Sequence, residues 1–123
     1  MEIVYGDKET EKVCTNLNEA KRYFGGNALL ARSLLARITA LKQAENIKDI
    51  VVQRQFRFHK LENRLGRDLD GYFAIDVKSH RDQWRIILQP LDENTEPYVA
   101  PNIDEIAQAV KVVEIMEVSK HYE

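Results

Sequence analysis

The chain holds one cysteine in 123 residues, Cys14, so no disulfide can form within it, and a reducing setting such as the cytoplasm is expected. No apolar run approaches the roughly 18 residues of a membrane-crossing helix, which predicts no membrane span. The opening residues, Met1-Glu2-Ile3-Val4-Tyr5, offer neither a basic stretch nor a long apolar one, so no signal peptide is expected. Three histidines and a lone cysteine lack ligand spacing and argue against a metal held by the protein. There is no glycine-rich phosphate loop, nucleophile elbow or dinucleotide fingerprint, and no internal repeat or low-complexity tract. A net charge of −2 argues against a protein that binds nucleic acid through bulk charge alone.

What is present suits one folded domain over residues 1–123. With 44% hydrophobic and 31% charged residues, the chain can fill a core and is too apolar to stay disordered. The charge is unevenly spread. Residues 1–53 carry a net +1, residues 54–87 a net +3 and residues 88–123 a net −6. The basic excess thus collects in the middle of the chain.

Residues 2–5 read as a short first strand. Asp7 suits the cap of a helix carrying Val13, Leu17, Ala20 and Phe24 on one face and stopped by Gly25-Gly26. A second helix is expected from Asn27 to Ala44. Leu30, Leu34, Ile38 and Leu41 form its apolar stripe, Leu29 and Leu35 broaden it, and Arg32, Arg37 and Lys42 stand on its outer face. So short a break predicts a helical hairpin. Residues 45–55 read as a connector in which Ile50-Val51-Val52 can be extended.

Strands follow at Phe56–Leu61, Gly71–Val77 and Trp84–Leu88, with a turn at Ser79–Asp82 and a stop at Pro90. Residues 92–102, with Pro97 and Pro101, read as loop, and 104–109 as a helical turn capped by Asn102 or Asp104. Val110–Val118 is apolar on both faces, as a central strand would be. The expectation is an α+β domain of order β-α-α-β-β-β, with an N-terminal strand and helical hairpin packed on a small, mainly antiparallel sheet.

The three middle strands bring Arg57, His59, Lys60 and Arg85 together, and the last strand delivers His121 and Tyr122. Guanidinium, ammonium, imidazole and phenol groups at one place suit the gripping of a phosphodiester and the movement of protons around it. A small ribonuclease is the leading expectation. On a strand, Arg85 points away from Trp84, Ile86 and Leu88, and a planar guanidinium can take two phosphate oxygens. His59 has the pKa range of a general base, and Lys60 suits phosphate. As strand neighbours the two face opposite ways, so only one of them faces a substrate unless the strand is bulged. Arg64 and Arg67, in the polar loop, and Arg57 suit RNA phosphates, while Tyr72 suits stacking on a base. Asp76 can orient a basic neighbour or simply cap a sheet edge. Phe73, Ile75, Trp84 and Met116 are expected in the core.

The succession His59-Lys60-Leu61, a polar basic loop, Gly71-Tyr72-Phe73-Ala74-Ile75-Asp76-Val77, Trp84-Arg85-Ile86-Ile87 and a last apolar strand ending in His121-Tyr122 resembles the HigB-type branch of the RelE toxin superfamily, the plasmid-maintenance killer proteins. The resemblance also covers the opening strand and the helical hairpin. It implies the RelE-like fold and a toxin of a toxin–antitoxin pair. Such a toxin cuts messenger RNA in the ribosomal A site without metal or other cofactor, stops translation, and is neutralised by a helix-turn-helix antitoxin (HigA-like). It makes Arg85 the phosphate-stabilising residue and leaves the roles of base and acid among His59, Lys60, His121 and Tyr122. Two departures stand out. Relatives often read Lys-Gly-Asp where this chain has Glu62-Asn63 and a longer loop, and they commonly end in Tyr-His rather than His-Tyr. A non-enzymatic inhibitor of DNA gyrase on the same fold, as in the ParE branch, is the alternative. An inactive interaction module is a third reading, suggested by the acidic pI of about 5.9.

Overall fold

The computed structural model describes residues 1–62, 69–98 and 103–121. The protein is α+β, built on a five-stranded mixed sheet. Strand β1 (Glu2–Tyr5) leads into helices α1 (Lys8–Thr15), α2 (Leu17–Tyr23), α3 (Ala28–Gln43) and α4 (Lys48–Val51). A 3₁₀ turn at Arg54–Phe56 precedes β2 (His59–Lys60), β3 (Phe73–Asp76) and β4 (Arg85–Leu91), and α5 (Ile103–Ile106) precedes β5 (Val112–Ser119). The strands lie in the order β1-β5-β4-β3-β2, with β1 parallel to β5 and the other pairs antiparallel. The last strand therefore has neighbours on both sides, as its apolar sequence predicts. The five strands fall in the five segments expected to be extended, one more than the order β-α-α-β-β-β counts.

Side-chain capping breaks up the helical part. The expected first helix is two, because Asn16 adopts extended backbone and its Oδ1 accepts the Glu19 amide at 3.0 Å, capping α2 while ending α1. Asn three residues before Glu is the sequence signal for that cap. The break turns Leu17 outward to 40% exposure, while Val13, Ala20 and Phe24 remain buried. Gly25 and Gly26 hold φ values of +66° and +92°, the left-handed region glycine tolerates, and end α2. Asn27 caps α3 through the Leu30 amide at 3.1 Å.

Helix α3 buries Leu30, Leu34, Ile38 and Leu41 as its spacing predicts, but Leu29 stands 63% exposed and does not join the stripe. In place of an extended segment at 50–52, Ile50 and Val51 end α4 and Val52 caps it. Ile47 and Ile50, one turn apart, are fully buried, and the Ile47 and Lys48 amides donate to the Val110 and Ala107 carbonyls at 3.0 and 3.2 Å. The strand expected over 56–61 is reduced to two residues, because Arg57 takes a left-handed conformation (φ +48°) after the 3₁₀ turn. Nor does Pro90 end β4, which runs to Leu91. The Pro90 carbonyl accepts the Tyr98 amide on the side away from β5, beyond the end of β3. On that side the missing N–H removes no ladder bond. Helix α5 begins at Ile103, and Asn102 lies outside the described residues.

The main core lies between helices and sheet, where Leu34, Ile38 and Leu41 meet Ile75, Ile86, Leu88, Val113, Ile115 and Val118. Trp84 is only partly buried there, edge-on to Phe24 at 4.8 Å. The opposite face carries a smaller cluster of Leu61, Leu69, Ala74 and Ile87, with Tyr72 and Met116 packed against it. Leu34 is fully buried in the main core. Its replacement by alanine is expected to cost about 2–5 kcal/mol in denaturant unfolding, through lost contacts and a residual cavity.

Candidate functional site

Strand pairing determines which side chains share the sheet face away from the main core. His59 pairs with Ala74 and Ala74 with Ile87, while Asp76 pairs with Arg85 and Arg85 with Ser119. Cross-strand partners project to the same side. His59, Asp76, Arg85 and Ser119 therefore stand on one face with Tyr72, two residues before Ala74. Lys60 pairs with Phe73 and points the other way. It lines a concavity of about 350 Å³ with Val51, Phe58, His59, Phe73, Ile103 and Asp104. Alternation directs the two side chains to opposite faces, yet both residues line this concavity at the β2 edge of the sheet.

Asp76 is the centre of the cluster and is 1% exposed. Arg57 Nε donates to both of its carboxylate oxygens at 3.1 Å, and an Arg57 terminal nitrogen lies 3.1 Å from Oδ1. Arg85 Nε lies 3.2 Å from the same Oδ1, but its N–H is not aligned for a hydrogen bond, so that contact is Coulombic. The expected role of Asp76, orienting a basic neighbour, is met twice over.

Arg85 is 5% exposed, and its guanidinium is turned inward. Nη1 donates to the Asp82 and Trp84 carbonyls and Nη2 to the His80 carbonyl at 3.2 Å. These are the backbone acceptors of the β3–β4 turn, so the residue ties that turn to the sheet. Arg57 is the more accessible of the two, with a third of its side chain exposed. Its left-handed backbone costs a non-glycine residue about 1–2 kcal/mol. The two-oxygen grip on Asp76 offsets that strain and aims the guanidinium along the open face.

His59 is tied to the same residue. Its Nδ1 is 2.7 Å from the Arg57 carbonyl. A carbonyl only accepts, so Nδ1 carries the proton and, in the neutral ring, Nε2 carries the lone pair. Burial lowers the His59 pKa below the ordinary 6.5, helped by the charges of Arg57 and Arg85 and opposed by the carbonyl bond and Asp76. A lowered value keeps the imidazole neutral at pH 7, the state a general base needs.

The remaining expected residues are scattered. His121 is exposed beyond β5, its amide donating to Ser119 Oγ at 3.1 Å. Strands β3 and β4 intervene between β5 and His59, a backbone separation of roughly 14 Å at sheet spacing. Tyr72 is half-buried against the smaller cluster. Arg64, Arg67 and Tyr122 lie outside the described residues.

One contributor was misplaced by sequence reasoning. Arg37, assigned to the outer face of α3, is half-buried and reaches the end of β3. Its only sequence signal is its place beside the apolar stripe, three residues after Leu34 and one before Ile38. No protein-family model matches the chain, and no curated protein matches it.

Proposed function

We propose that this protein is a toxin of the RelE type, in its HigB-like branch: an endoribonuclease that cuts messenger RNA on the ribosome by metal-independent attack of a ribose 2′-hydroxyl on the adjoining phosphate. The observation that carries the reading is the joining of His59 to Arg57. One residue supplies the carbonyl that fixes the imidazole tautomer and a guanidinium on the same sheet face. In this chemistry His59 Nε2 takes the 2′-hydroxyl proton. Arg57 holds the charged phosphorane oxygens, where Arg–phosphate contacts are strongest. The buried Arg85 adds positive potential and holds the turn. The leaving 5′ oxygen takes its proton from solvent, since His121 stands past β5 with two strands between it and His59, and His121 and Tyr122 are assigned to contacts with the flanking RNA. Lys60, on the opposite face, is assigned to contacts outside the reacting centre. Cytoplasmic residence and a helix-turn-helix antitoxin that silences the nuclease complete the proposal.

The test is to map message ends in a translating extract supplied with the parent protein, with Arg57→Ala or with Arg85→Ala. Cuts inside codons that require active translation are expected from the parent. Arg57→Ala is expected to slow them roughly 10²–10³-fold, the usual cost of losing one donor to a developing oxyanion. Message left intact by the parent would sink the proposal.

The inward turn of Arg85 favours a second reading, an interaction module without catalysis, which includes inhibition of gyrase by binding alone. Intact message together with blocked gyrase supercoiling would establish that one.

A further inference from the structure

Arg37 belongs to the helical layer, yet all three of its hydrogen bonds to the backbone end at the edge of the proposed site. Its Nε donates to the Asp76 carbonyl at 3.0 Å, and its Nη2 to the Gln55 and Lys78 carbonyls, each at 3.2 Å. The guanidinium lies over the Phe56 ring, 4.5 Å from its centroid. Gln55 and Phe56 belong to the 3₁₀ turn, and Arg57 is the residue that leaves this turn in the left-handed conformation. Asp76 and Lys78 belong to the end of β3 and the residues just beyond it.

One planar fork thus joins the two segments whose separation decides whether Arg57 meets the Asp76 carboxylate. It holds them by backbone atoms, so the join is independent of the side-chain pair it aligns. The Arg57 amide closes the 3₁₀ turn on the Arg54 carbonyl at 3.0 Å, one residue before the Gln55 carbonyl that Arg37 takes. Release of the turn would let the Arg57 backbone relax out of its left-handed conformation. Its carbonyl would then move away from His59 Nδ1 and its guanidinium away from Asp76.

We infer that Arg37 is a positioning residue of the proposed ribonuclease site: it touches no substrate, and it sets the Arg57–His59 geometry by clamping three carbonyls of the 3₁₀ turn and the end of β3. The inference rests on the ribonuclease reading for its effect on rate, but not for its effect on His59.

The experiment compares the parent with Arg37→Met, which keeps an apolar stem over Phe56, and with Arg37→Lys, which keeps the charge and loses the fork. Two readouts are taken: the titration and tautomer of the His59 ring by NMR, and kcat and KM for message cleavage. Among the described residues, Arg57, Asp76 and Arg85 are groups whose charge enters the His59 titration. In both variants the Nδ1–H preference is expected to weaken and the His59 midpoint to fall further below the parent's, because the bond to the Arg57 carbonyl, which raises it, outweighs the Arg57 charge, which lowers it. Cleavage is expected to lose about 10²-fold in kcat, the scale of a small misplacement of reacting groups, with KM little changed. Millimolar guanidinium ion is expected to restore part of the rate in Arg37→Met.

A His59 titration that stays at the parent's position in a folded variant would overturn the inference, whatever the change in stability. Full recovery by Arg37→Lys would overturn it equally, because a single ammonium cannot span the three carbonyls. Should Arg37→Met fail to fold, Arg37→Lys carries the same test. If the parent cleaves no message, the ribonuclease reading fails, and the His59 titration still decides the role of Arg37.

Discussion

Replacing Asp76 by alanine is expected to destabilise the protein by about 3–5 kcal/mol, the usual consequence of removing one partner from a buried ion pair. The reason lies in what remains. The Asp76 side chain is 2% exposed and that of Arg85 is 6% exposed. Without the carboxylate, Arg85 would keep its carbonyl partners from the β3–β4 turn but would hold an uncompensated charge within the fold. The Arg57 guanidinium would lose the two oxygens that hold it across the open face. Asp76→Asn separates these contributions. It retains one acceptor oxygen and the shape of the site while deleting the charge, so its loss should fall below that of alanine. Urea unfolding of parent, Asp76→Asn and Asp76→Ala at neutral pH gives the comparison. Equal stability of parent and alanine variant would mean that Arg57 and Arg85 find other partners, and the central place given to Asp76 would be lost. The cost should also persist at high salt, because buried pairs are screened far less than exposed ones.

The cluster around Asp76 was only partly legible in the sequence, for a definite reason. Alternation along a strand is a strong signal. It placed Arg85 opposite Ile86 and Leu88, and it separated His59 from Lys60. The buried stripe of α3 and the central position of the last strand could be read in the same way. Alternation says which way a side chain leaves the backbone, however, and not where a long side chain ends. Arg85 points to the open face as expected and then folds back onto the carbonyls of its own turn. Arg37 flanks a buried stripe and reaches across to β3.

The left-handed Arg57 had no signal at all, since nothing in the order Gln55-Phe56-Arg57-Phe58 marks a positive φ in place of a glycine. The loss of most of the expected strand at 56–61 follows from that one residue. The split of the first helix, by contrast, was available in Asn16 and Glu19, but the four-three-four spacing of apolar residues across Asn16 outweighed it. Local capping and turn chemistry decide such boundaries, and apolar periodicity does not detect them.

Substitution of His59 by glutamine is expected to lower message cleavage by roughly 10²–10⁴-fold, the range for loss of a positioned acid or base. Glutamine keeps the size and some of the hydrogen bonding of imidazole and cannot take up the proton. The pH profile makes the assignment specific. The His59 pKa is lowered in the folded protein, chiefly by burial, so the ring stays neutral further into acid than a free imidazole does. The acid limb of kcat/KM for the parent should accordingly fall below pH 6.5, and it should be absent from the residual activity of His59→Gln.

The same shift fixes a stability signature whose sign is opposite to that of a histidine held by an acidic partner. The unfolded chain, with His59 near 6.5, binds a proton more readily than the folded one. The contribution of His59 to stability is therefore fully present above about pH 6.5. It is lost as the pH falls from there toward the folded-state value, and it changes no further below that. Over this window the parent should lose stability faster than His59→Gln, as measured by urea unfolding at a series of pH values. A parent whose stability rose relative to the variant on acidification would mean that the ring gains its proton on folding. His59 would then enter the reaction as an acid, and the proton taken from the 2′-hydroxyl would have to go to another group.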